Sequence, residues 1–192
     1  LYERQDPAAA PLLAQLVRDS KSAVARHHAL GVLDGLNRLD EGVVTAALAD
    51  ADAHVRERAV VLAEKLFVRQ PSRSILASRV AELATDAVAR VRFQVALSAP
   101  SMLAAPGIAD GARADLAGAY GHLAHHDYAD GWISSALLGG PAAVVGGELF
   151  TIVAADPSFA RHAEAFTARL IEIRAAIKPA DGYASLVALV AA

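Results

Sequence analysis

The feature that most constrains this chain is an arginine that recurs at the head of an apolar run. "VARHHALGVLDGL" from Val24, "HVRERAVVLAEKL" from His54 and "RVRFQVALSAP" from Arg90 stack on Arg26, Arg56 and Arg92. Three positions after each arginine stands Ala29, Ala59 or Val95, so each segment turns the same small or β-branched face inward if it is helical. A fourth segment, "GWISSALLGG" from Gly131, keeps the apolar pattern but has Ser134 where the arginine would stand. Self-similarity at a spacing of roughly 30–42 residues marks a stacked array of helical units, none of which can bury its apolar face alone.

An acidic turn precedes each arginine: Asp19, then Asp50 and Asp52, then Asp86. An aspartate there can accept from the free N–H groups of the oncoming helix. It can also pair with the arginine of its own or the adjacent repeat. Arg26, Arg56 and Arg92 with these carboxylates therefore form either an internal ladder tying turns together or a row of anion-binding groups on a concave face. The fixed spacing favours the ladder, because paired charges at repeat positions suit a stacked array.

Shorter amphipathic helices are expected before the turns, at 41–50 and 75–86. Val55, Ala59, Leu62 and Leu66 step at helical spacing while Arg58, Glu64 and Lys65 fall elsewhere, and strand alternation is nowhere sustained. Asp40 is expected to cap a helix from Glu41, Pro71-Ser72 to separate two helices, 99–107 to form a longer loop, and Pro157 to open a helix after Asp156. In the helix from Val24, Ala25, Ala29 and Val32 are expected inward, with His27 and His28 pointing sideways or out.

The hydrophobic share is 55% but the aromatic share only 5%, so helices of Ala, Leu and Val can pack closely. Formal net charge is −3 and the basic residues are scattered singly, which argues against nucleic acid as a partner. The cysteine count of 0 excludes disulfides, thiolate metal sites and cysteine nucleophiles from this segment, and leaves the compartment open. Residues 132–155 are apolar over the length of a bilayer span. Four glycines, Pro141 and Glu148 interrupt them, and a helix break at Gly139-Gly140-Pro141, with close approach at Gly146-Gly147, explains the same letters.

The repeats resemble HEAT repeats, the "D…VR…A" pattern matching at Asp50 to Ala59 and more loosely at Asp86 to Val95. Residues 25–64, with "DAVARVRFQVALS" and "DYADGWISSALL", are similar to the HEAT-like region of large planctomycete-type membrane-bound dehydrogenase or haem-binding proteins. The resemblance covers about residues 12 to 155. In that family a sugar-dehydrogenase-like β-propeller precedes the repeats and a cytochrome c domain with a CxxCH motif follows. The resemblance implies a spacer or docking module between redox domains, and a periplasmic or membrane-associated setting. It assigns neither haem ligation nor dehydrogenase chemistry to any residue of this chain.

The expectation is an all-α, right-handed HEAT-like solenoid of about five antiparallel helix pairs. It would fill 1–192 as a single domain, an internal fragment of a longer chain, since Leu1 opens without a signal pattern and "SLVALVAA" ends it without a cap. The expected role is a non-catalytic scaffold that binds protein, with no cofactor and no membrane insertion by this segment. The alternative is a metal-binding or enzymatic helical domain using His122, His125 and His126, where His122 and His126 are one helical turn apart beside Asp127. A HEAT-type nucleic-acid binder is the third reading. The lone tryptophan, Trp132, is expected to wedge between repeats, with a partner hot spot as the alternative.

Overall fold

The computed structural model describes residues 8–72, 74–177, 184 and 187. The N-terminal residues 1–7 and the terminal stretch 185–192, apart from Val187, lie outside them. Among the described residues every regular element is helical and no strand occurs.

The first four helix pairs are α1 (Ala9–Asp19) and α2 (Ala23–Gly35), α3 (Glu41–Leu48) and α4 (Ala53–Arg69), α5 (Ser74–Glu82) and α6 (Ala89–Leu103), and α7 (Asp110–Asp127) and α8 (Gly131–Leu138). Polar side chains open α2, α3, α4 and α8. Ser22 accepts from the Ala25 N–H, Asp40 from Val43, Asp52 from His54 and Val55, and Asp130 from Trp132 and Ile133. Each supplies an acceptor for a donor that the first helical turn leaves without a partner.

Packing runs in two ranks. The first members, α1, α3, α5 and α7, touch in succession, and so do the second members, α2, α4, α6 and α8. Within the second rank α4 carries the core: Val55, Ala59, Val60, Leu62, Ala63, Leu66 and Phe67 are all buried. Each fully buried side chain of the larger kind contributes about 1.5–3 kcal/mol. In α2 the inward face is Ala29, Leu30 and Leu33, with Ala25 and Val32 only half-buried, which corrects the expected register. The cause is that α2 packs on both α1 and α4, so its apolar arc spans two neighbours.

The loop expected at 99–107 is mostly helix. α6 continues through Pro100 to Leu103, because Ala99, Met102 and Leu103 are buried in the core and their packing outweighs the local cost of a mid-helix proline. Pro100 in turn seats against the break between α8 and the next helix. A Cβ at Gly140 would stand 2.7 Å from Pro100 Cβ, so this contact admits glycine alone.

Beyond that break, α9 (Ala142–Val144) runs into a π-helical turn over Val145–Leu149 and then α10 (Phe150–Ala154). α8 and the 142–154 segment meet at 98°, and no single helix among the described residues is long and apolar enough to cross a membrane. α11 (Pro157–His162), capped by Asp156, leads to α12 (Glu164–Ala176). α12 packs on α8 and on the π turn, where a Cβ at Gly146 would lie 2.8 Å from Ile177 Cδ1. Arg174 of α12 donates to the Gly146 carbonyl at 2.9 Å, meeting an acceptor that the wider π turn displaces.

Gly140→Ala is expected to destabilise the protein by about 1–3 kcal/mol, as overpacking does. Gly147→Ala, with open space around its Cβ, is expected to be neutral or stabilising by up to about 1 kcal/mol. Urea unfolding followed by circular dichroism compares the two; equal effects would show that Pro100 does not constrain the break.

Candidate functional site

The second-rank helices share one register. Their N-caps are Ser22, Asp52, Val88 and Asp130, and four places past each cap stand Arg26, Arg56, Arg92 and Ser134. Each arginine reaches forward to the next repeat. Arg26 grips Asp50 through Nε and Nη2, both at 2.6 Å; Arg56 grips Asp86 at 2.7 and 3.0 Å; Arg92 grips Asp127 at 2.9 and 2.8 Å. The remaining Nη1 of each reaches back to its own turn, donating to the carbonyl of Ser20, Asp50 or Asp86.

One guanidinium thus uses its planar fork on the following turn and its spare donor on the preceding one, which lysine could not do. Asp50 and Asp86 are further fixed by the N–H groups of Asp52 and Val88. Burial alone would raise the pKa of both carboxylates. The arginine and backbone hydrogen bonds outweigh it and hold them below the ordinary aspartate value.

The ladder has two ends. Asp52 is a cap and not a rung. Asp19, three places before the Ser22 cap, occupies the register of Asp127 before Asp130, yet among the described residues it takes no arginine; Arg26 uses the Ser20 carbonyl instead. At the other end Ser134 has no guanidinium to extend, and an open cleft of about 850 Å³ lies there between α8 and α12.

Two places past each cap stand Val24, His54, Arg90 and Trp132, and all four project from the second rank. Trp132 is 78% exposed, Val24 66% exposed. Trp132 is therefore not a wedge: Ile133, Ala136 and Leu137 fill the inner face of α8, and helical periodicity turns Trp132 outward. Its ring meets Phe93 edge to face, with centroids 6.5 Å apart. The two rings, with Glu57, Arg90 and Asp130, line a groove of about 410 Å³ on the face of α4, α6 and α8. A second groove of about 330 Å³, between α2 and α4, is lined by Val24, His27, His28 and His54. Burial, then the positive charge of Arg58, lowers the pKa of His27.

The histidines of α7 do not converge. His122 and His126 stack with centroids 4.2 Å apart, and burial, then His126, lowers the pKa of His122. His125 turns the other way: its Nδ1 lies 2.8 Å from the Gly121 carbonyl and its ring stacks on Phe159. Asp127 is occupied by Arg92. Among the described residues no three His, Cys, Asp or Glu side chains are placed to hold a metal ion. Helical spacing put His122 and His126 on one face, but Asp127 serves the ladder instead.

Comparison with family models, with curated proteins and with solved structures finds no match to this chain.

Arg56→Ala would leave Asp86, 5% exposed, without its cation. It is expected to cost about 2–3 kcal/mol, below the range for a fully buried pair because the arginine keeps some solvent contact. Arg56→Lys, which keeps the charge but loses the fork, is expected to recover only part of that. Because the folded pKa values of Asp50 and Asp86 are depressed, their contribution is present above the unfolded value near pH 4 and is lost as pH falls through the folded values. Urea midpoints measured across this acid range should drop in the wild type and drop less in Asp86→Asn.

Proposed function

We propose that this chain is a non-catalytic, HEAT-like helical-repeat scaffold that binds protein on its second-rank face. The two ranks of successive contacts and a ladder linking turn to turn support the solenoid reading, since a stack held by nearest-neighbour contacts needs such joints. The observation that carries the functional reading is Trp132. A large aromatic side chain left mostly in water, beside Phe93 and a groove, is the residue type that dominates protein interfaces.

Nucleic acid fits this face poorly. Arg26, Arg56 and Arg92 are its regularly spaced cations, and each is committed to a carboxylate. The net charge of −3 adds no attraction for phosphates. The redox setting, a spacer or dock between dehydrogenase and cytochrome domains, rests on the sequence resemblance and assigns no residue of this chain a chemical role.

A photo-cross-linking residue placed at Ala89, an exposed residue of the Trp132 groove, in the producing cell is expected to trap a protein, while the same residue at Glu82 on the first-rank helix α5 traps none. A trapped species that stains for covalently bound haem would fit the redox setting. Equal trapping from both faces, or none from position 89, would remove the second-rank face as the binding surface.

A further inference from the structure

We propose that the Trp132 groove receives a lysine or arginine side chain of a protein partner. The inference rests on the reading of the second-rank face as protein-binding, and goes on to the chemistry of its occupant.

Four observations converge. First, Trp132 and Phe93 stand at 84° to one another, so they form an aromatic corner. The electron-rich face of an exposed tryptophan attracts a cation within about 6 Å, and its area covers an aliphatic stem. Second, two carboxylates line the same groove. Asp130 spends Oδ1 on the N–H groups of Trp132 and Ile133, and its Oδ2 accepts no hydrogen bond among the described residues. Glu57 faces Arg90 Nε at 3.5 Å and His54 Nδ1 at 3.9 Å through Oε2, and its Oε1 accepts no hydrogen bond among the described residues.

Third, Arg90, the one cation among the described lining residues, is engaged by α4. Arg90 is held by His54 at 2.8 Å and by Glu57, both on α4, whereas Trp132 and Asp130 belong to the α8 side. Arg92 below is matched by Asp127. One guanidinium against two carboxylates leaves the groove negative. An anionic occupant would meet that charge, and a purely apolar one would supply no donor to Asp130 Oδ2 or Glu57 Oε1. Fourth, the floor does not have to rearrange: Ile133 is buried in the core and Asp130 is fixed as the cap of α8.

Trp132 is the single tryptophan, so its emission reports on the groove directly. The test titrates the protein with an acetylated decapeptide containing three spaced lysines, with its norleucine counterpart and with its glutamate counterpart. A saturable change in emission is expected for the lysine peptide, with affinity about tenfold or more above either counterpart. The double variant Glu57→Gln, Asp130→Asn is expected to lose most of that preference while keeping the wild-type circular dichroism, because asparagine also caps helices.

Calorimetry with Trp132→Ala separates groove binding from diffuse attraction to an acidic protein. Loss of binding supports the groove, and undiminished binding overturns it. Equal affinity for the norleucine peptide, preference for the glutamate peptide, or no saturable signal would also overturn the proposal. If position 89 still cross-links a protein in cells, the failure lies in the occupant's chemistry and the protein-binding face stands; if it cross-links nothing, both fall.

Discussion

The forked contact between an arginine of one second-rank helix and an aspartate ahead of the next is the constraint on which the rest of the packing depends. Small residues such as Ala29, Ala59 and Ala96 let the helices approach closely, but apolar packing is not directional and would tolerate sliding of one unit over another. A planar guanidinium that must meet two carboxylate oxygens and a backbone carbonyl at once tolerates much less. Its repetition at Arg26, Arg56 and Arg92 fixes how each second-rank helix sits on its successor.

That fixing has a consequence for the exposed face. Because the register is set at the arginine, the residues two places earlier emerge along one side of the second rank: Val24, His54, Arg90, Trp132. They share a position and little chemistry, as expected where stacking imposes the place and solvent leaves the residue type free. The change from valine to histidine to arginine to tryptophan gives the grooves between successive helices different characters on a common frame. One is lined largely by histidines and the other by aromatic rings and carboxylates.

The C-terminal part obeys a different rule. With Ser134 in place of an arginine the ladder stops, and α8 is followed by a sharp break, the short helix α9, a π turn and the helices α10, α11 and α12. Here glycines do the positioning. Gly140 admits Pro100 and Gly146 admits Ile177, so these contacts are achieved by removing side chains, while the Arg113–Glu148 ion pair at 2.7 Å ties the π turn to α7. Arg174 spans the π turn, with its guanidinium 5.2 Å from the Phe150 ring centre and a hydrogen bond to Gly146.

By itself the sequence determined the helical class, the place of most helix starts and the recurrence of the arginine, because these depend on local periodicity and on capping residues such as Asp40, Asp52 and Asp156. It did not determine which carboxylate each arginine takes. Asp50, Asp86 and Asp127 lie six or seven places before Arg56, Arg92 and Ser134, but only the stacking of one turn on another makes them acceptors for the preceding arginine. Local propensity wrongly ended α6 before Pro100, where long-range burial decides. The same holds for Trp132: its size pointed to the interior, and only the register of α8, already filled by Ile133, Ala136 and Leu137, turned it to the surface.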